Sequence, residues 1–297
     1  MTGSVLTLGT FDGVHRGHRK LFNDVVKRAR LLGLTPAAIT FTVPPRLFFF
    51  PSPEASLLTT IDEKKQLLKE CGIEKIYVLK FDARLARMSA KTFFGKYIAG
   101  LGFAREVIVG YNFGFGKNRE GDTRFLETAG RKAGIGVKIL PPIVAGAVPV
   151  SSGRIREALK QGSLEQANSL LGAPYSVTGR VMKGRNLGQK LGFPTANLET
   201  ARDKIVPLGV FAVKAEIEGE RKTWDGMANS GFRPTIEGGI SKKLFLEVHL
   251  FDFSGNLYGK TLKIRLLHKL RNEKVFDSLA ELTHQLKKDR CRAKNLL

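Results

Sequence analysis

SVLTLGTFDGVHRGH, residues 4–18, decides how the chain folds. An apolar run of strand length meets a glycine-rich turn. The turn opens a segment from Gly17 to Leu32, in which Leu21, Val25, Leu31 and Leu32 are among the apolar positions of a helical pattern. A strand that runs straight into a helix leaves the first helical N–H groups and the positive end of the dipole facing the junction, an anion cradle. Gly9 lets a ligand approach the backbone, and Gly9, Phe11 and Gly17 are candidate phosphate contacts. His15 and His18 stand three apart and share one face of the first turn. Two imidazoles so placed can donate hydrogen bonds to charge building on an attacked α-phosphate, which stabilises a transition state without a covalent intermediate.

Outward from this junction, short apolar runs alternate with helical segments as far as residue 140. Pro36 to Phe41 is a strand, followed by a helix from the N-cap Asp62 to Cys71 and the strand IYVLKF. A helix starts near Ser89, REVIVG is the next strand, and Thr123 to Ala133 and VKILPP complete the series. The pattern predicts an α/β doubly wound parallel sheet of Rossmann-like type, with its ligand crevice at the carboxyl ends of the strands. PPIVAGAVPV, residues 141–150, marks a boundary. The expected organisation is a nucleotide domain over 1–150, connecting helices over 151–172, and a small antiparallel β-barrel over 173–297. YSVTGRV, GVFAVKAEI, KLFLEVHLF and LKIRLL are barrel strands, and a terminal helix spans Val275 to Lys288.

Composition sets the class. The 297 residues are 42% hydrophobic and include 20 Phe, enough to build a core and to exclude disordered and collagen-like chains. Cys71 and Cys291 are too few and too far apart for a disulfide scaffold or a CxxC metal site. The amino terminus has no secretion pattern and no run reaches membrane-span length, so a cytoplasmic protein is expected. A net charge of +22 draws anions of any size and alone selects none.

Four further clusters carry chemistry. SSGRIR opens a helix with Ser151, Ser152, Arg154 and Arg156, suited to gripping phosphate and neutralising a pyrophosphate leaving group. GYNFGFGKNREG, residues 110–121, interleaves aromatics with glycine, a composition for stacking a planar ring; Phe113 or Phe115 serves equally as core. In LGFPTANL, Thr195 and Asn197 place two neutral oxygens on one side of an extended chain, which suits magnesium. In EVHLFDF, Glu247 is a carboxylate on an inward barrel face, positioned to accept a hydroxyl proton; His249 is read as an exposed strand residue.

Taken together and in this order, the blocks resemble the bifunctional bacterial riboflavin kinase and FAD synthetase family, over Leu6 to about Asp289. GTFDGVHRGH and SSGRIR match its adenylyltransferase domain, which is related to nucleotidyltransferases with a HIGH-like motif. LGFPTANL, NSGFRPT and EVHLFDF match its barrel kinase domain. The resemblance implies ATP as co-substrate, Mg2+, and flavins as substrate and product: riboflavin becomes FMN in the barrel, and FMN becomes FAD in the sheet domain. It implies that His15 and His18 contact ATP phosphates, that Asn112 helps hold the flavin with Phe113 nearby, and that Ser152, Arg154 and Arg156 grip the outer phosphates. It also implies Thr195 and Asn197 at the magnesium and nucleotide site, Glu247 as base on the ribityl hydroxyl, and a flavin loop around Arg271. No nucleic acid or membrane partner is implied.

Thr42 and Pro44 stand where the family usually has an acidic residue and a histidine, and Gly153 replaces a phosphate-binding threonine. One lost hydrogen bond to a charged group is worth roughly 1.5 to 3 kcal/mol, which slows adenylylation without abolishing it. A chain active only as kinase remains the alternative. A more remote one, drawn from the charge, is an RNA-binding protein on a nucleotidyltransferase scaffold; the sequence lacks the aromatic stripe or basic arm for it.

Overall fold

Strands buried on both faces read as continuous apolar runs, and the first runs of this chain form such a sheet. In the computed structural model, residues 3–51, 56–101, 103–146, 148–184, 187–234 and 242–297 are described. The chain divides into two compact units, Met1–Ser152 and Gly153–Leu297.

The first unit contains β1 (Ser4–Leu8), α1 (Arg16–Leu32), β2 (Thr35–Phe41), α2 (Pro45–Phe49), α3 (Ile61–Glu70), β3 (Lys75–Leu79), α4 (Ala83–Ala86) and α5 (Ala90–Phe93). A π-helical segment, Phe94–Leu101, continues α5, and β4 (Ala104–Gly110), α6 (Thr123–Lys132), β5 (Gly136–Leu140) and the short β6 (Val144–Ala145) and β7 (Val148–Pro149) follow. The five main strands pair in parallel in the order β3-β2-β1-β4-β5. Alternate residues of β1 serve two cores. Val5 packs with Phe22, Val25 and Leu68 on one face, and Leu6 and Leu8 with Phe93, Ile98 and Leu126 on the other. Each such fully buried side chain contributes on the order of 1.5 to 3 kcal/mol.

Helix α1 turns Leu21, Phe22, Val25, Val26 and Ala29 to the sheet and stops at Gly33, whose φ of 62° is the left-handed conformation glycine adopts freely. Leu31 and Leu32, expected on the apolar stripe, are exposed at that end. Helix α3 is capped by Thr60 instead of Asp62: the Thr60 hydroxyl accepts from the Glu63 N–H while the Glu63 carboxylate accepts from the Thr60 N–H. From β1 the chain builds outward to β2 and β3 on one side, and β4 and β5 lie on the other. The order therefore reverses between β1 and β4, and the loops leaving their carboxyl ends flank the crevice where such sheets bind ligands.

The second unit contains α7 (Ser152–Lys160), whose first residue closes the first unit, then α8 (Leu164–Leu171), β8 (Tyr175–Met182), α9 (Leu187–Lys190) and β9 (Ala196–Thr200). β10 (Gly209–Ile217), β11 (Thr223–Pro234), β12 (Lys242–Leu250), β13 (Thr261–Arg271) and α10 (Leu279–Leu296) complete it. The strands close an antiparallel barrel in the order β10-β11-β12-β9-β8-β13. Asn168 pins α8 to it: its amide nitrogen donates to the Leu266 carbonyl at 3.0 Å and its oxygen accepts from the Tyr175 N–H at 2.7 Å.

The terminal helix begins and ends later than Val275 to Lys288, because the Ser278 hydroxyl caps it by accepting from the Glu281 N–H while Val275 stays in solvent. Its Ala293 packs with Val210, Ala212 and Met227 on the barrel wall. Arg271 at the end of β13 donates from Nε at 2.9 Å to the buried carboxylate of Asp289 on α10, a second tie between helix and barrel.

Candidate active sites

The junction after β1 is a strained turn held from several sides. Phe11, Gly13 and Val14 have φ values of 48°, 83° and 44°, a region costly for the two side chains with a Cβ. The buried Asp12 carboxylate fixes the turn by accepting from the Leu58 N–H at 3.0 Å, the Thr59 N–H at 3.0 Å and the Thr59 hydroxyl at 3.1 Å. The Gly13 N–H donates to the Thr59 hydroxyl oxygen, and the Ser152 hydroxyl donates to the Asp12 carbonyl at 2.8 Å. Ser152 is thus brought to the Gly9–His18 loop across the length of the unit. Phe11 turns its ring inward against Phe22 and His18. A Cβ on Gly9 would meet that ring at 2.6 Å, so packing in this structure, as well as any ligand, requires glycine there.

His15 is the N-cap of α1. Its Nδ1 accepts from the His18 N–H at 3.4 Å, which leaves the ring proton on Nε2. The His15 and His18 rings stack with centroids 3.6 Å apart and 17° between planes. Burial pushes the His15 pKa down to about 4, with the Asp12 charge opposing. Burial, then the neighbouring His15 and Lys64, drive His18 well below the ordinary value. Both imidazoles are therefore neutral near pH 7, a state in which each ring N–H donates and two rings stack without repulsion. His18 Nδ1 is buried with no partner among the described residues.

Lys64 on α3 belongs to this site and was not read from the sequence. Its side chain is buried, and Nζ donates to the Phe41 carbonyl at 3.1 Å and the Thr40 hydroxyl at 3.5 Å, at the carboxyl end of β2. Burial lowers its pKa to about 8, against the pull of Asp12. The available signal was its helical spacing of four from Leu68, which marks the inner face of α3.

In the loop after β4, Asn112 is exposed and its carbonyl accepts from Arg119 at 2.8 Å. The Phe113 ring stacks on Phe115 at 5.4 Å; Phe115 is buried in the sheet core, and Phe113 is partly buried against it. Thr42 is exposed, and Pro44 precedes α2. Ser151 is exposed at the end of the first unit. Arg154 and Arg156 are half-buried on α7 in the second unit.

The second unit has a cavity of about 310 Å3 whose walls include Thr195, Asn197, Glu247 and Arg271, all four singled out from the sequence. Cross-strand register explains the grouping. Glu247 on β12 lies opposite Asn197 on β9 and opposite Asn229 on β11, and His249 lies opposite Met227. Because Met227 packs with α10, this is the helix-covered face of the barrel wall; Glu247 does not point inward as expected.

His249 is likewise not an exposed strand residue. It is buried, its Nδ1 lies 2.8 Å from the Pro194 carbonyl, and its ring meets Phe193 and Phe251 edge-on. Burial lowers its pKa, opposed by that carbonyl. Arg271 lines the cavity with its charge committed to Asp289 and Phe276 beside its guanidinium, so it acts as a braced wall. NSGFRPT, residues 229–235, supplies Asn229 to the cavity, and its last residue lies outside the described residues.

Comparison with known proteins follows the same division. Residues 1–154 match the FAD synthetase family and residues 171–297 the riboflavin kinase family. The bifunctional riboflavin kinase/FMN adenylyltransferase of Escherichia coli (strain K12) is 38% identical over 98% of this chain and 92% of that protein. Its namesake from Bacillus subtilis (strain 168) is 37% identical over 97% and 90%. A crystal structure described as a macrolide-efflux protein from Streptococcus pneumoniae superposes with a TM-score of 0.87 at 32% identity, covering 99% of this chain and 94% of that one. Among the described residues, no helix is long and apolar enough to cross a membrane. With both halves matched in order and the likeness running from end to end, the chain belongs to the bifunctional riboflavin kinase/FMN adenylyltransferase family.

Proposed function

We propose that the chain makes FAD in two ATP-dependent steps, phosphorylating riboflavin to FMN in the barrel unit and adenylylating FMN in the parallel-sheet unit. One observation carries this reading. The sheet's switch point holds a stacked pair of neutral imidazoles at a helix start, while a separate cavity seats Glu247 between two asparagines.

In the barrel, the Glu247 carboxylate takes the proton of the terminal ribityl hydroxyl as its oxygen attacks the γ-phosphorus of ATP, and ADP leaves. Among the described residues no cluster of His, Cys, Asp or Glu is set to hold a metal ion. Thr195 and Asn197 instead offer two neutral oxygens at the cavity wall, a pair that fits Mg2+ when substrate phosphates and water complete the shell. The ion would neutralise phosphate charge there.

In the sheet unit, a phosphate oxygen of FMN attacks the α-phosphorus of ATP, and pyrophosphate leaves. The N–H groups of His15 and His18, with the start of α1, hold the charge that builds on the α-phosphate. Gly9, Phe11 and Gly17 shape the loop, Ser151 and Ser152 attend the outer phosphates, and Asn112 and Phe113 stand at the flavin end. Gly153 lacks a hydroxyl and Thr42 and Pro44 depart from the usual pattern, which slows this step. The work takes place in the cytoplasm on small molecules, without nucleic acid or membrane.

Incubation with riboflavin, ATP and magnesium, followed by chromatographic separation of flavins, yields FMN and then FAD. Absence of FMN removes the kinase assignment, and absence of FAD from supplied FMN leaves a kinase alone. Glu247→Ala stops FMN formation and spares adenylylation of supplied FMN, and His18→Ala does the reverse. Loss of both activities in either variant refutes the division of labour.

A further inference from the structure

We infer that Asn229 is a specificity residue of the barrel site, its side-chain amide taking a hydrogen bond from the polyol chain of the flavin. This rests on the kinase reading above and goes beyond it, since neither the motifs nor the reaction chemistry assigns Asn229 a task.

The residue lines the cavity, yet its Oδ1 is buried and meets no hydrogen-bond donor among the described residues. Buried amide oxygens in folded proteins are nearly always paired, and an exception calls for an explanation. Structural asparagines in this unit are paired: Asn168 uses both ends of its amide to fasten α8. The next residue on β11, Ser230, is completely buried and donates to the Pro207 carbonyl at 2.5 Å, so the strand's position is set on its other face. Asn229 is thus held in place without using its own amide oxygen.

Its neighbours say what the donor is. Along this face of β11, Met227 packs among Val210 and Leu286, an apolar stretch for a flat ring. One step further, Asn229 stands level with Glu247 and Asn197 in a polar row across three strands. Directly opposed residues of an antiparallel pair have Cβ atoms about 4.5 to 5.5 Å apart. A hydroxyl bound at Asn229 therefore sits within a carbon or two of the hydroxyl whose proton Glu247 accepts. A polyol offers O–H donors at that spacing, whereas the flavin ring presents most of its edge as acceptors. The last torsion of asparagine is broad and roughly two-fold, so the amide swings its oxygen from the wall toward the cavity as the chain enters.

The test is equilibrium binding to the full-length protein without ATP, read by quenching of flavin fluorescence. Riboflavin is compared with lumiflavin, which carries a methyl group in place of the ribityl chain. Asn229→Leu raises the Kd for riboflavin about tenfold, equivalent to about 1.4 kcal/mol, and leaves the Kd for lumiflavin unchanged. Asn229→Ser, which restores a hydroxyl, recovers part of the loss. Retained lumiflavin binding also shows that the variants fold. Equal weakening of both ligands assigns Asn229 to packing and overturns the inference, as does an unchanged Kd for riboflavin. Because no phosphoryl transfer is measured, failure of the kinase assignment is a separate result, read in the flavin assay.

Discussion

Acid destabilises the sheet unit through His15, by an amount the structure sets. Its pKa is about 4 in the fold and 6.5 in an unconstrained chain. As pH falls through 6.5 the unfolded chain takes up a proton that the folded protein refuses until about pH 4. The contribution is whole above pH 7.5 and is lost through that window, because the unfolded state binds more protons there. At pH 5 the loss is about 2 kcal/mol, and it approaches about 3 kcal/mol below pH 4. His18, depressed for the same reason, adds a slope of the same sign. Hydrogen exchange of the β1 amides in the intact chain, from pH 8 to pH 5 and corrected for intrinsic rate, reads this free energy. His15→Asn keeps an N-cap acceptor and removes the titration, so it loses about 2 kcal/mol less protection than wild type over that range. Parallel loss in variant and wild type would mean that the ring is not held neutral by burial, and the account of the imidazole pair would fail.

Gly17→Ala separates activity from stability. A Cβ there lies 3.2 Å from His15 Cε1 and Nδ1 and displaces the stack, while alanine favours the helix by up to about 1 kcal/mol. FAD formation from FMN falls roughly tenfold, a barrier rise of about 1.4 kcal/mol, with the melting temperature held or raised and riboflavin phosphorylation unchanged. Asp12→Asn weakens charged hydrogen bonds to the Leu58–Thr59 segment, each worth about 1.5 to 3 kcal/mol, and lowers the urea midpoint of the sheet unit. Arg271→Met strands the buried Asp289 carboxylate at a cost of about 3 to 5 kcal/mol, seen in the unfolding of the barrel through the fluorescence of the single tryptophan, Trp224. Adding Asp289→Leu recovers most of that loss.

The parallel sheet was legible because both faces of its strands are covered, so each strand announces itself as an unbroken apolar run such as Ala37 to Ile39. Helix ends were legible to the extent that caps are local. The starts of α5 and α6 follow from Ser89 and Asp122. The start of α3 was misplaced because Thr60 and Asp62 are both cap residues, and only the Glu63 that completes the capping box with Thr60 decides between them. At the terminal helix the Ser278 hydroxyl, accepting from the Glu281 N–H, fixes the start three residues after the expected Val275. In both cases a side-chain hydrogen bond to the first turn sets the boundary.

Site residues divide on the same line. His15, His18, Thr195, Asn197 and Glu247 sit in loops and short motifs whose composition states their chemistry. Lys64, His249 and Asn229 gain theirs from chain that folds over them from elsewhere. β11 shows why such residues escape a reading by pattern. Its middle, Gly226 to Ser230, is covered on one face by the barrel interior and on the other by α10 and the cavity wall, so no polar alternation develops. In a strand covered on both faces a polar side chain must find its partner in the protein or in a ligand. Ser230 finds the Pro207 carbonyl, and Asn229, one residue earlier and facing the cavity, finds no donor for its oxygen among the described residues. The contrast between two adjacent polar residues, invisible in TWDGMANSGFRP as a string, separates a residue kept for folding from one kept for the substrate.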